Sequence, residues 1–458
     1  MSPVLALRDY LDPELTERTL SDVRRAASLT TIAGKTCLKG RLAELSGRAV
    51  LLAASSQFLS ALAMLEIDGV ARRMLLCPPD LDDSHIQTLV ADAEIDAIVT
   101  DQSQRFAETG VGLVVTLEEQ LQSASPAQSE RATEWLLLTS GTLGAPKIVR
   151  HTLEGLTGAI VAGGPEGASR PVWATFYDIR RYGGLQIFLR AIVGGGSMVL
   201  SEPAEALADY VARLREAAVT HISGTPSHWR KLLMSGAASA FSPKYARLSG
   251  EIADQAVLDG LRQAFPAASI GHAYASTEAG VGFAVNDGLE GFPASLIGTK
   301  GDVEMKVVDG SLRIRSRRAA HAYVGRQAAA LTDAEGFVDT GDMVELRGNR
   351  YHFVGRRGGI INIGGLKVHP EEIEAVINRR DEVRMARVRA RKSPITGAIV
   401  VADVVLTDAC EPAQAEEIRK KIIADCRASL APYKVPAMIK FVDRLDITAA
   451  GKLARTDA

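Results

Sequence analysis

Cysteine is scarce in this sequence: Cys37, Cys77, Cys410 and Cys426 stand far apart in 458 residues. None sits in a CxxC or Cys/His spacing, so neither a zinc site nor a disulfide framework is readable. Aromatics make up only 5% of the chain. No apolar stretch reaches the ~20 residues that a membrane span needs. The longest, 49–65, is interrupted by Ser55, Ser56, Gln57 and Ser60 and reads as a buried strand running into a helix. An excess of one charge is missing too. Lys and Arg total 53 against 55 Asp and Glu, a net charge of −2, which excludes the basic footprint of a nucleic-acid binder. Arg8, Asp9, Asp12 and Glu14 occupy the window where a signal peptide is apolar, so no targeting segment is expected and the location expected is cytoplasmic.

What is present is an ordinary globular balance, 47% hydrophobic and 24% charged, over a length that suits two or three domains. Short apolar runs at 49–54, 73–77, 96–101 and 112–116 alternate with helical patterns, among them 83–93 with Ser84 as a candidate N-cap. The alternation resumes at 197–200, 204–217, 219–223 and 269–274, which predicts a layered α/β domain with parallel pairing. The texture changes near residue 300. Two hairpins are expected, one turning at Asp309-Gly310 and one at Gly348-Asn349. A glycine cluster at 355–365 follows, then a small mixed region. That region holds a helix at 370–378 with proline in its first turn, a strand at 398–406 and a helix at 413–430. Ile418, Ile422, Cys426 and Leu430 recur every four residues as the buried face of the last helix. The expected domains are 1–357 and 358–458.

Chemistry concentrates in five places. Residues 136–147 read Leu-Leu-Leu-Thr-Ser-Gly-Thr-Leu-Gly-Ala-Pro-Lys. Here a strand enters a loop of small hydroxyl residues and glycines closed by Lys147. Such a loop lets backbone amides approach an anion, although taken alone it is more often a plain turn. The Gly-Lys-[Ser/Thr] ending of a P-loop is missing. Residues 274–278 read Tyr-Ala-Ser-Thr-Glu, also compatible with a capped helix start at Ser276 or Thr277. Residues 339–342 read Asp-Thr-Gly-Asp, with Gly355-Arg356 following. The glycine cluster runs on through Gly358, Gly364, Gly365 and Lys367 to Glu374, and could equally be a plain linker. Thr448-Ala-Ala-Gly-Lys452-Leu-Ala-Arg455 closes the chain; a lysine so near a terminus is ordinarily a solvated tail.

These five strings, in this order, resemble the signatures of the adenylate-forming superfamily, which includes acyl- and aryl-CoA ligases, peptide-synthetase adenylation domains and luciferase. The resemblance spans residues 136–455. It implies an α/β fold: a large N-terminal adenylate-forming domain of several subdomains and a small α+β C-terminal lid. The implied activity is ATP-dependent conversion of a carboxylic acid to acyl-AMP, followed by transfer to the thiol of coenzyme A. The alternative is a stand-alone enzyme loading the phosphopantetheine of an acyl carrier protein. The implied cofactors are ATP and Mg2+, and the partners a small-molecule acid and, in the alternative, the carrier protein.

Residue by residue, the resemblance implies that Thr139, Ser140, Gly141, Thr142, Gly144 and Lys147 hold the ATP phosphates, and that Ser249, Gly250 and Glu251 border the nucleotide. It implies that Tyr274 stacks on adenine, Thr277 bonds the α-phosphate, Glu278 holds magnesium, and Asp342 and Arg356 reach the ribose. Gly358 would be the hinge, Gly364 and Gly365 would line the thiol tunnel, and Lys452 would bridge the carboxylate and the α-phosphate. Ala275, Gly358 and Asn362 depart from the usual residues. An acid pocket is expected around Arg181, Tyr182, Gly224, Ala273 and Gly280. There Arg181 either recognises a second acidic group or is a surface residue paired with Asp178. Tyr433-Lys434-Val435-Pro436 resembles the version common in CoA ligases.

Overall fold

The computed structural model describes residues 6–11, 17–124, 129, 131–139, 146–162, 170–326, 328–363, 366–393, 397–407, 412–448 and 451–454. Three large sheets and a two-stranded one, Lys35–Thr36 with Gln122–Ser123, build the large N-terminal part as described. The first orders its strands Ala322–Val324, Lys147–Thr152, Glu134–Thr139, Arg73–Leu76, Ala49–Ala53, Ala97–Thr100, Leu113–Thr116. Pairing is parallel from Glu134–Thr139 onward and antiparallel at the Lys147 end. Ala49–Ala53 is buried at every residue. That is why the sequence there is continuously apolar rather than alternating: a central parallel strand is covered on both faces. The following helix, Gln57–Ile67, starts where the Ser56 hydroxyl accepts the Leu59 amide at 3.1 Å.

The second sheet runs Gly280–Val285, Ser269–Ser276, Tyr245–Ser249, His221–Gly224, Val172–Thr175, Ser197–Val199, Thr19–Ser21, Ala26–Ser28. The helices Pro226–Met234 and Gln255–Ala264 share one core with it, centred on Trp229, Leu248 and Leu258. The helix Tyr182–Val193 packs into a different core, which joins the first sheet to the second through Phe188, Trp135 and Met198. The third sheet is antiparallel and carries both expected hairpins. Asp309 and Gly310 have φ of 51° and 75°, the pair of left-handed residues that a type I′ turn requires.

The small C-terminal part has its own core. The helices Pro370–Ile377 and Pro412–Ser429 bury Ile373, Ile377, Ile418, Ile422 and Cys426 against a three-stranded sheet, with Leu430 packed at its edge. Among the described residues no helix is long and apolar enough to cross a membrane. Cys37, Cys77 and Cys426 are buried free thiols, and Cys410 lies outside the described residues.

Two local expectations change. Residues 83–93 are not one helix capped by Ser84. A 3-10 turn, Asp83–His85, precedes the helix Ile86–Asp92, and the cap is Asp82, whose carboxylate accepts the Ser84 amide at 2.8 Å. The strand Val383–Ser393 has no counterpart among the expected elements, because arginines crowd its sequence. Arg387 and Arg389 are neutralised by Asp403 on the neighbouring strand, each at 2.9 Å, and that carboxylate is 2% exposed.

Adjacent glycines in the helix Tyr182–Val193 give a paired test. A Cβ on Gly184 would lie 2.2 Å from the Asp178 carbonyl oxygen, whereas on Gly183 its nearest neighbour is Tyr177 at 3.7 Å. Gly184→Ala is expected to destabilise by about 1–3 kcal/mol through overpacking. Gly183→Ala is expected to be neutral or to stabilise by up to about 1 kcal/mol. Urea unfolding midpoints of the two variants check the pair.

Candidate active site

The strands on either side of the loop expected to hold phosphate pair as a hairpin. Thr139 and Lys147 face each other at its mouth in the antiparallel register. Ser140, Gly141, Thr142 and Gly144 lie outside the described residues. Lys147 is exposed, and its Nζ lies 5.1 Å from the centroid of the Tyr323 ring. The Tyr323 hydroxyl donates to Glu278 Oε1 at 3.4 Å. Burial, reinforced by the Glu278 charge, pushes that phenol up to about 12, so it stays a neutral donor. Lys147 and Glu278, distant in sequence, thus flank one aromatic ring.

The Tyr274–Glu278 segment is not a helix start. The strand Ser269–Ser276 turns directly into Gly280–Val285, and the Ser276 hydroxyl accepts the Ala279 amide at 3.0 Å. The turn is held from behind by His151, whose Nε2–H donates to the Thr277 carbonyl at 2.8 Å. His151 is fully buried, its Nδ1 has no partner among the described residues, and burial lowers its pKa to about 4.

The Tyr274 ring is nearly parallel to Phe283 and Phe353, with centroids at 5.7 and 5.4 Å. Its hydroxyl donates to Asp342 Oδ2 at 2.6 Å. The other oxygen, Oδ1, accepts Arg356 Nε–H at 2.8 Å. The spacing between Asp342 and Arg356 is now explained: they are register partners across the hairpin that turns near Gly348. The Thr340 hydroxyl fixes the approach by donating to the Leu312 carbonyl at 2.7 Å and accepting the Asp342 amide.

Lys452 enters from the C-terminal part on a tight turn. Thr448 N–H donates to the Lys452 carbonyl at 2.7 Å, and Gly451 N–H to the Thr448 carbonyl at 2.8 Å. Gly451 has φ +73°, and a Cβ there would stand 1.9 Å from the His228 ring, so no other residue fits. The Thr225 hydroxyl donates to the Gly451 carbonyl at 2.6 Å. Lys452 Cε then lies 3.6 Å from where a Cβ on Gly250 would stand. The lysine lines a solvent-facing cleft with protein packed around it. That crowding lowers its pKa, as does the Arg356 charge, against Glu251, Asp342 and Glu278 pulling upward. The charges of Glu278, Asp342 and Arg356 therefore reach Lys452, whose side chain passes over Gly250. Ser249 offers its carbonyl to the Tyr177 hydroxyl at 2.7 Å. Glu251 turns both oxygens to backbone amides, Ser227 and Leu453.

The expected acid pocket is partly rearranged. Arg181 pairs with Asp80, and it is Arg180 that forks onto Asp178, at 2.8 and 2.6 Å. The surface ion pair expected for Arg181 is thus made with Asp80 and not with Asp178. It occupies the N-cap of the Tyr182–Val193 helix with extended backbone. Tyr182 is buried against His151, ring centroids 5.6 Å apart. Ala273 is buried on the strand Ser269–Ser276, Gly224 packs against Phe176, and Gly280 packs against the Arg318 carbonyl.

Two arginines were missed. Arg190, on the same helix as Tyr182, is pulled down to about 10 by burial and then by Arg247. Arg247 is 9% exposed and lies in the sheet between Ser223 and Gly271. No partner is found for either guanidinium among the described residues. Ser223 Oγ and Gln186 Oε1 are likewise buried without a partner. The available signal was the one charged residue inside a mostly apolar helix and the one inside a short, mostly buried strand.

Gly358 sits in an exposed 3-10 turn, Arg357–Gly359, with open space around it. Gly364 and Gly365 lie outside the described residues. Lys434 is tied to Glu372 at 2.6 Å. For magnesium, Glu278 supplies one hard carboxylate, which suits an ion held mainly by phosphate oxygens. No cluster of three or more potential ligands occurs among the described residues.

The sequence model described as AMP-binding enzyme matches residues 50–319, and that of the AMP-binding enzyme C-terminal domain matches 372–452. Similar curated proteins include 2-succinylbenzoate–CoA ligases from Listeria innocua, 26% identical over 81% of this chain and 77% of theirs. Another is from Geobacillus kaustophilus, 27% identical over 82% and 78%. Among solved structures, an anthranilate CoA ligase in complex with anthranoyl-AMP superposes with TM-score 0.79 at 18% identity, covering 99% and 96% of the two chains. The o-succinylbenzoate CoA synthetase of Bacillus subtilis with its acyl-adenylate intermediate gives 0.75 at 18%, covering both chains fully at 100%.

His151 yields a pH prediction. Its folded pKa of about 4 lies below the ordinary 6.5, so unfolding takes up a proton between these values. Its contribution to stability is full above pH 6.5 and is lost as pH falls through 4. His151→Gln, which retains a donor for the Thr277 carbonyl, is expected to flatten the stability profile in that window by on the order of 3 kcal/mol at its acid end. Urea unfolding at pH 7, 5.5 and 4.5 measures the difference.

Proposed function

The chain belongs to the AMP-binding enzyme family, and we propose that it is an AMP-forming acid–CoA ligase. The observation that carries this reading is the delivery of Lys452 into the cleft shared by Glu278, Asp342 and Arg356. A cation positioned there meets the negative charge that develops as a carboxylate attacks the α-phosphorus of ATP. Pyrophosphate leaves, held by the 139–144 loop and Lys147. Thr277 bonds the α-phosphate, Tyr274 borders the adenine, and Asp342 with Arg356 holds the ribose. Magnesium on Glu278, when bound, neutralises phosphate charge. The 358–458 part then turns about Gly358. Lys452 withdraws, a thiol enters beside Gly364 and Gly365, and its sulfur attacks the acyl carbon with AMP leaving.

Coenzyme A is the acceptor we favour over a carrier protein, on the names of the relatives. For the acid, Arg190 and Arg247, which have no partner among the described residues and lie beside Tyr182, favour one with a second anionic group. Two partly desolvated cations in one region gain most from an anion between them. 2-Succinylbenzoate, from the relatives' names, is a first compound to assay.

Lys452→Ala is expected to lower pyrophosphate–ATP exchange by about 10²–10³-fold, with hydroxamate trapping of acyl-AMP falling in parallel. Arg190→Gln and Arg247→Gln are each expected to raise KM about tenfold or more for acids bearing a distal carboxylate. Benzoate should change by no more than about threefold. Equal effects on both classes would remove the arginines from acid recognition.

A further inference from the structure

We infer that Glu251 is the positioning residue that holds Lys452 in place for acyl-adenylate formation and has no part in the transfer to thiol. The inference rests on the role proposed for Lys452 and adds the element that seats it.

The carboxylate is fixed from the large part of the protein. Oε2 accepts the Ser227 amide at 2.9 Å, at the N-terminus of the helix Pro226–Met234, where the helix dipole favours a negative charge. Oε1 is thereby aimed at the C-terminal part and accepts the Leu453 amide at 2.9 Å. That amide is free for the purpose. The turn carrying Lys452 closes on itself through Thr448 N–H to the Lys452 carbonyl, Gly451 N–H to the Thr448 carbonyl and Ala454 N–H to the Asp446 carbonyl. None of these uses the Leu453 amide.

The residue before the lysine is gripped as well. The Thr225 hydroxyl accepts the His228 amide at 3.1 Å as the cap of the same helix and donates its one proton to the Gly451 carbonyl at 2.6 Å. Lys452 therefore has both flanking peptide groups held at one helix N-terminus, one by its cap Thr225 and one by Glu251 bonded to it, and only its side chain is left to reach the cleft. With both oxygens committed to amides, Glu251 acts on the lysine's backbone and, through its charge, favours the protonated ammonium. These contacts exist only while the C-terminal part is seated with Lys452 inward.

The test separates the half-reactions. Glu251→Gln keeps the volume but turns one acceptor into a donor facing an amide. It is expected to lower pyrophosphate–ATP exchange about tenfold or more. Exchange is measured with 2-succinylbenzoate or benzoate, whichever supports it in the unaltered enzyme. Conversion of the matching pre-formed acyl-AMP and coenzyme A to thioester is expected to stay within about twofold. Leu453→Pro, which removes the donor and leaves Glu251 intact, should reproduce the selective loss. In a Lys452→Ala background, Glu251→Gln should change exchange by no more than about twofold. Parallel loss of both half-reactions, or a full additional loss without Lys452, overturns the inference. If Lys452→Ala itself leaves exchange intact, the underlying reading fails; if only the Glu251 and Leu453 variants do, this inference alone fails.

Discussion

The site depends on one close contact, the backbone of Gly451 against the His228 ring. The contact is made between the two parts of the protein and tolerates no side chain on the glycine. It fixes how near the C-terminal turn comes to the large part. Given that distance, the Thr225 hydroxyl finds the Gly451 carbonyl and the adjacent lysine passes over Gly250 rather than colliding with it. Neither part holds the complete set of charges. Asp342, Arg356 and Glu278 come from the sheets of the large part, and the ammonium arrives from the other. Charged groups that assemble only on docking can exchange partners on undocking, as a two-step reaction at one cleft requires.

The motifs were legible because each is a contiguous string whose spacing has a local cause. The interval from Asp342 to Arg356 is the span of one hairpin, and Asp309-Gly310 is the turn its dihedral angles demand. The alternating layers were legible for a similar reason, since Ala49–Ala53 is apolar throughout and Gln57–Ile67 follows its own cap. The partner of Arg181 was not legible. Two arginines and an aspartate stand together at 178–181, and the cap geometry of the following helix sends Arg180 back to Asp178 and Arg181 out to Asp80. No local rule predicts a partner so far away in sequence. Arg247 was missed for a related reason. In the strand Tyr245–Ser249 its neighbours Ala246 and Leu248 face the second core, and only the parallel register reveals that Arg247 shares the opposite side with Ser223 and Gly271.

Charge within this fold is handled in two ways. Asp403 takes two arginines and Asp178 takes one in a fork, so those ions are compensated where they are buried. Arg190 and Arg247 have no such compensation among the described residues, and burial together with the Arg247 charge lowers the pKa of Arg190. An uncompensated charge in a partly desolvated place destabilises unless something else meets it, which is the ground on which the two arginines beside Tyr182 are proposed to recognise an anion.

The short strand Ala322–Val324 has a consequence of its own. It leaves the third sheet's neighbourhood to pair with Ile148–Arg150 at the rim of the first, and it carries Tyr323 between Lys147 and Glu278. The hairpin that frames the loop expected to hold phosphate is thus stitched, by hydrogen bonds and one aromatic ring, to the turn that bears the acidic residue. A shift of either would strain the stitch before it reached the other, so the two segments proposed to grip a nucleotide's phosphates are mechanically joined although their residues are scattered along the chain.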